Sequence, residues 1–299
     1  REWVGLRDWE EVTKKRRINM LERVVFPHIG KLPAKQVAPV HVLDILKRAD
    51  KNNGNSVSQE AKRTMSAIFE FAVATLRAET DPVYPVRKAI AANKTQHKRP
   101  LTTVEIGELL KAVDGHGGNY QTQCAFNLMW LTLARPSEVV EAEWAEFDLD
   151  AALWRIPPER MKKRKEHLIP LPHQAVKLLR GMLTITGDKK HLFPHRDNRA
   201  KPMVAASFRQ MLNVLGWGGK FSPHATRTTG STRLNEMGYS ADWIERQLAH
   251  EEPNSVRRTY NHADYFKNRA QMMQQWADLL LEWKSGSDKV SPIKKQVVA

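Results

Sequence analysis

Apolar positions recur every three to four residues along most of this chain, and that spacing predicts helices. Over 8–26, Val12, Ile18, Leu21, Val24 and Val25 fall mostly on one face, until Pro27 and Gly30 break the pattern. A second helix is expected over 40–51 on Val42, Leu43, Ile45 and Leu46. After the turn-rich NNGNS at 52–56, Ser56 or Ser58 caps a longer helix reaching about Arg77, with Met65, Ile68, Phe69, Phe71 and Ala72 inside. Residues 1–90 thus read as a small all-helical module. The polar, basic stretch that follows, 91–101, has no apolar period and reads as a linker.

The second module, 102–283, opens on a capping box, Thr102 with Glu105, ahead of a helix buried on Ile106, Leu109, Leu110 and Val113. DGHGG at 114–118 stops it. An apolar helix over 121–134 runs directly into Arg135. Pro136 and Ser137 then reverse the chain, with a new helix through Val140 and Trp144. Periodicity changes at Leu153–Ile156 and Leu168–Leu171, which read as two short strands joined by the charged loop ERMKKRKEH at 159–167. Helices resume at 172–183 and about 203–215. An amphipathic helix over 263–283 carries Tyr265, Phe266, Met272, Met273, Trp276, Leu279, Leu280 and Trp283, which must be buried in their own domain or in a neighbouring subunit. The tail 284–299 is polar and expected to be disordered. The expected fold is mainly α with a small antiparallel β-hairpin: a helical module followed by a mixed α/β one.

Charge adds a partner to this picture. With 48 Lys+Arg against 33 Asp+Glu, the net charge is +15. Residues 1–100 hold 20 basic and 11 acidic side chains, and the remainder 28 and 22, so both modules are basic, the first more densely. Such an excess favours a polyanion, most simply nucleic acid, although it also serves solubility. Three groups are candidates for backbone phosphates: Lys14, Lys15, Arg16 and Arg17 beside the first helix; Lys94, Lys98 and Arg99 in the linker; and Lys163, Arg164 and Lys165, next to Lys162, on the hairpin tip, which suits a groove. A solvated helix face is the alternative for the first group and a solvated loop for the last. The single Cys124 excludes an internal disulfide, lies in an apolar run as a core residue, and suits a reducing cytoplasm. No apolar stretch approaches the ~20 residues that cross a bilayer, so no membrane partner is expected. His191 and His195 lack a wider ligand pattern, and no metal is expected. The chain begins at Arg1 without a signal-peptide pattern, as a fragment would.

The candidate chemistry is concentrated between Ser222 and Tyr265. If the segment after Pro223 is helical, with Ser222 as its cap, His224 and Arg227 share a face. His250 closes an apolar run containing Ile244, Leu248 and Ala249, and Tyr260 follows behind Arg257 and Arg258. A phenol attacks poorly near neutral pH unless cations stabilise its oxyanion and the charge on its target, so this grouping points to a phosphodiester. Tyr260 reads equally well as an ordinary half-buried tyrosine on a basic helix. Arg135, ending so apolar a segment, needs an anion: Glu138 internally, or a ligand phosphate.

Together these marks resemble the tyrosine recombinases, the phage-integrase family, and among them integrases of satellite prophages and genomic islands. The family's GxRxGE pattern is approximated by LARPSE, with Arg135 and Glu138. A hairpin lysine eight residues before a proline falls on Lys162, counted back from Pro170. His224 and Arg227 meet the His-x-x-Arg box, Leu248, Ala249 and His250 the Leu-Gly/Ala-His motif, and Tyr260 lies ten residues beyond. Thr228 departs from the usual residue after the box, and Ala134 reads as a harmless replacement for the glycine before Arg135. The small arm-binding domain that such integrases begin with is missing, as in a truncated or naturally short chain.

The resemblance implies a site-specific recombinase that cuts and rejoins DNA through a 3′-phosphotyrosyl bond, for integration or excision of a mobile element. Tyr260 would be the nucleophile and Arg135 and Arg227 the phosphate clamp. His224 would assist proton transfer, Lys162 would protonate the leaving oxygen, and His250 would donate a hydrogen bond. It implies no cofactor. Its partners would be double-stranded attachment sites, with a homotetramer on DNA, a monomer when free, and accessory DNA-bending or directionality factors. The 263–283 helix would be an exchange element between protomers, and the setting bacterial cytoplasm. A type IB topoisomerase and a non-catalytic DNA-binding protein are the other readings.

Overall fold

A computed structural model describes residues 2–92, 99–161, 163–250 and 264–286. Tyr260, Lys162, Lys94, Lys98 and the tail beyond Gly286 lie outside the described residues. The chain divides into two compact units, Arg1–Gln96 and His97–Ala299.

The first unit is all helical: α1 (Glu2–Gly5), α2 (Glu11–Met20), α3 (Phe26–Ile29), α4 (Pro39–Asn53) and α5 (Asn55–Ala74). Its core joins Leu21, Val25 and Ile29 to Val42, Ile45 and Leu46 of α4 and to Ala61, Met65, Phe69 and Ala72 of α5. Pro27 does not end the first helical run as expected. A π-helical turn over Leu21–Val25 lets the Phe26 N–H donate to Leu21 O, five residues back, and the proline enters at the first turn of α3. There its missing N–H and its ring cost little. Val12 is 79% exposed, so the buried stripe starts at Met20. The expected loop at 52–56 shrinks to Gly54, whose φ of +88° turns the chain between α4 and α5. Neither serine caps α5; Ser58 is buried and its hydroxyl donates to Leu46 O across the helix pair.

The second unit contains α6 (Thr103–Asp114), α7 (Tyr120–Thr132), α8 (Pro136–Val140), β1 (Phe147–Asp148), β2 (Leu153–Ile156), β3 (His167–Pro170), α9 (His173–Thr186), α10 (Ala206–Val214), α11 (Ala225–Glu236), α12 (Ala241–Gln247) and α13 (Phe266–Lys284). Thr102 and Glu105 form the expected capping box. The strands make one antiparallel sheet in the order β1-β2-β3, with Trp154 opposite Ile169 and Ile156 opposite His167. The hairpin matches the sequence reading. β1 escaped it because two residues show no alternation; Phe147 joins by stacking on Trp154 at 5.0 Å. The helix expected through Trp144 stops at Val140, and Trp144 instead donates its indole N–H to Thr186 O.

α7 is the central element of this unit, with Phe126, Leu128, Met129 and Trp130 fully buried. α13 packs on it within the same unit: Trp276 stacks on Trp130 at 6.3 Å and donates its indole N–H to Trp130 O at 2.7 Å. It also lies so close to α6 that a Cβ on Gly107 would stand 2.2 Å from Trp283 O. In the single chain Phe266–Lys284 therefore packs within its own unit. The helix runs to Lys284, first residue of the expected tail, which pairs with Asp114.

Candidate active site

The site forms where three chain turns meet. α7 ends on Leu133, whose φ of +55° bends the backbone sharply so that Arg135 leaves the core. When Arg135 and Glu138 are set on GxRxGE, Leu133, not Ala134, occupies the glycine position, which corrects the sequence reading. The left-handed turn that a glycine adopts freely is here held by a leucine. Leu133 tolerates it because its side chain, fully buried, fills the space over Gly230 of α11. A side chain on Gly230 would meet it, with the Cβ 2.5 Å from Leu133 Cδ2.

Arg135 is held by Glu138, one of the two partners expected for it. The Glu138 carboxylate accepts the Arg135 backbone N–H at 2.7 Å and pairs with Nη1 at 2.5 Å. Glu138 is only 5% exposed, whereas the Arg135 side chain is 24% exposed, so the carboxylate lies beneath and the guanidinium opens outward. Arg160, just before the hairpin tip, pairs with buried Glu146 and donates to Glu138 O at 2.6 Å.

His224 occupies the N-cap position of α11, two residues later than expected. Ser222 O is already engaged in a tight turn, accepting the Ala225 N–H at 2.8 Å, so the helix starts after it. Arg227, one turn on, is 4% exposed. Its Nη1 donates to Leu133 O at 2.7 Å, and its Nη2 donates to Leu248 O and meets His250 Nε2 at 3.2 Å. Arg135 Nη2 reaches the next carbonyl, Ala249 O, at 3.4 Å. Ala249 has φ +48°, and that turn presents both carbonyls inward while His250 swings out to contact Glu245 through Nδ1 at 2.7 Å. Thr228 is exposed, away from these contacts.

Electrostatics follow from the packing. Burial, then the neighbouring Arg135 charge, push the Arg227 guanidinium down to about 10, and it stays protonated near neutrality. Desolvation lowers the His224 imidazole, and Arg227, Arg135 and His250 lower it further, so the neutral ring is favoured. Two guanidiniums facing one buried carboxylate leave a cationic pocket suited to an oxyanion with two or more free oxygens. Among the described residues no three His, Cys, Asp or Glu side chains gather to hold a metal.

The structure therefore brings Arg135, His224, Arg227 and His250 together. Lys163, Arg164 and Lys165 are exposed at the hairpin tip. In the first unit the basic cluster is partly engaged: Arg16 pairs with Glu60 at 3.0 Å, Arg17 lies over the Trp9 ring at 4.5 Å, Lys14 pairs with Glu11 at 3.5 Å, and Lys15 is exposed. Arg99 forms a two-pronged pair with Glu105, whose carboxyl is held down at about 2, chiefly by that arginine. Sequence reasoning missed Gln247, Arg269 and His167, which lie buried behind the site. A signal existed for Arg269, which shares the apolar stripe of Met272, Met273 and Trp276.

The Phage integrase family pattern matches residues 99–267, and the Phage integrase central domain matches residues 1–89. The integrase of Enterobacteria phage P4 is 34% identical over 297 residues, covering 94% of this chain and 68% of that protein. Prophage integrase IntZ of Escherichia coli (strain K12) is 35% identical over 282 residues, covering 93% and 69%. Among solved structures, a lambda integrase dimer bound to a COC′ core site superposes with a TM-score of 0.66 at 14% identity, covering 100% of this chain and 96% of that one. The Tn1549 transposon integrase with circular intermediate DNA gives 0.65 at 18% identity, covering 90% and 95%. These two show the shared fold. The chain belongs to the phage integrase family and is a tyrosine site-specific recombinase. Among the described residues no helix is long and apolar enough to cross a membrane.

Proposed function

We propose that the chain cleaves and rejoins duplex DNA at attachment sites of a mobile element, with Arg135, Lys162, His224, Arg227, His250 and Tyr260 as its working groups. The observation that carries this reading is the anchoring of Arg227 and Arg135 to the consecutive carbonyls of Leu248 and Ala249, beside two histidines. Guanidiniums fixed in advance stabilise the charge that develops on phosphate oxygens without reorganising during the reaction. The Tyr260 oxygen attacks phosphorus, giving a 3′-phosphotyrosyl bond as the bond to the 5′-oxygen breaks. The phenol proton passes to His224, whose depressed basicity keeps its ring free to accept it. Lys162 protonates the departing 5′-oxygen, giving the 5′-hydroxyl, and His250 donates to the phosphate. Attack by a partner strand's 5′-hydroxyl on the phosphotyrosine reverses these bond changes, so phosphodiester energy is retained.

The exposed Lys163, Arg164 and Lys165, with Lys15 and the linker cations, are assigned to backbone phosphates. Arg99 and Arg16 would first exchange their carboxylates for phosphate. The proposed assembly is four copies on two duplexes, from a chain monomeric when free, with accessory DNA-bending or directionality factors and a bacterial cytoplasmic setting. A lambda integrase tetramer bound to a Holliday junction is the corresponding assembly of a protein with this fold.

The test is a nicked suicide duplex carrying the junction of the excised circular element. The wild type should form a covalent adduct, and Tyr260→Phe should bind the duplex equally and form none. An adduct in Tyr260→Phe would overturn the assignment, and binding without an adduct in the wild type would favour a non-catalytic DNA-binding protein.

A further inference from the structure

Behind the site lies an arginine buried more deeply than either of the two that open onto it. Arg269 of α13 is 0% exposed. A guanidinium out of water is costly unless its N–H groups find acceptors, and here they do. Nε donates to Asp264 O at 2.9 Å and Nη2 pairs with Asp264 Oδ1 at 3.0 Å. Nη1 donates to Leu168 O of β3 at 2.9 Å and to Gln247 Oε1 at 3.1 Å. Gln247, also 0% exposed, extends the connection. Its Nε2 donates to Thr132 O at 2.8 Å, and its backbone carbonyl contacts His167 Nε2 of β3 at 3.1 Å.

The three attached pieces of chain are the ones that carry the site. Thr132 ends α7, three residues before Arg135; Gln247 ends α12, three before His250; and β3 is one arm of the hairpin bearing the basic tip. The carbonyls that hold Arg227 and Arg135 belong to the two residues immediately after Gln247. A slip of this turn along α7 would therefore displace both guanidiniums together. Stability does not demand such a network, because an apolar filling of similar volume is often at least as stable.

We propose that Arg269 and Gln247 are positioning residues for strand cleavage: they hold the 247–250 turn in register with the end of α7 and with β3, and so set the spacing of Arg135, Arg227 and His250. The inference rests on the reading of the site as DNA-cleaving.

Removing one partner alone would strand a buried polar group, so the informative variant is the apolar pair Gln247→Met with Arg269→Met, made in the full chain. Asp264→Asn is the second variant; its side chain is 45% exposed and its loss is tolerable to the fold. Single-turnover adduct formation is measured on the same suicide duplex over a range of DNA concentrations. A misplacement near 1 Å costs about 100-fold in rate, which is the loss expected at saturating DNA for the double variant. The half-saturating DNA concentration should stay at the wild-type value. A smaller misplacement, worth about tenfold, is expected for Asp264→Asn. A purely structural role would lower the amount of folded protein and leave the saturated rate per folded molecule unchanged, and that result overturns the proposal. If the double variant does not fold, Asp264→Asn decides alone. Adduct from the wild type with wild-type rates in both variants would refute this inference and spare the site assignment; no adduct from the wild type would remove both.

Discussion

Replacing Gly230 by alanine should injure both the fold and the site, and a second substitution should repair part of the damage. The added Cβ would lie 2.5 Å from Leu133 Cδ2 and 2.7 Å from Cδ1, about 1 Å inside ordinary carbon–carbon contact. Leu133 has little room to withdraw, being 0% exposed. Its backbone, already left-handed at φ +55°, cannot tilt without breaking the turn that delivers Arg135. Overpacking of this kind costs about 1–3 kcal/mol. Leu133→Ala alone removes a fully buried side chain, at about 2–5 kcal/mol. In the double variant the new methyl occupies space that the leucine vacates, so the two costs should fall short of their sum by about 1–3 kcal/mol. Denaturant titration of the four proteins gives this coupling. Single-turnover adduct formation should slow in Gly230→Ala, because Leu133 O, which accepts from Arg227 at 2.7 Å, moves with its side chain. Additivity within about 0.5 kcal/mol would refute the packing argument.

Three further outcomes are expected. Burial first, and then the Arg269 charge, depress the His167 imidazole to about 4, so the unfolded chain takes up this proton more readily than the folded one. Stability should fall as pH drops from about 6.5 to about 4, by at most about 3 kcal/mol; urea unfolding across that range should show the slope, and His167→Gln should lose it. Glu138→Gln, which leaves Arg135 without its buried counter-charge, should cost about 2–3 kcal/mol in the same titration and slow adduct formation. Arg164→Ala with Lys165→Ala should weaken DNA binding and reduce the salt slope of log K by about 1 for each phosphate no longer neutralised, as fluorescence anisotropy at several salt concentrations would report.

The parts legible in the sequence were those set by local chemistry. Thr102 and Glu105 satisfy each other's orphan donors over three residues, and Arg135 finds Glu138 over the same distance, so spacing alone announces both. What escaped depends on partners far along the chain. Pro27 continues a helical run because a π-helical turn clears the carbonyl behind it, and no residue type in that stretch signals the turn. Leu133 takes up a glycine's conformation only because Gly230, 97 positions later, leaves it room. Gln247 and Arg269 are polar residues on apolar stripes, readable as misfits, but their acceptors come from α7, β3 and each other. Periodicity predicted that α13 buries its tryptophans; that Trp276 does so within its own unit depends on Trp130, far back along the chain.

The solitary molecule inherits an independence from that arrangement. With Trp276 and Trp283 sheltered at home, a lone copy keeps both indoles out of water without a companion. Dilution should cost it nothing: its melting temperature should not depend on protein concentration.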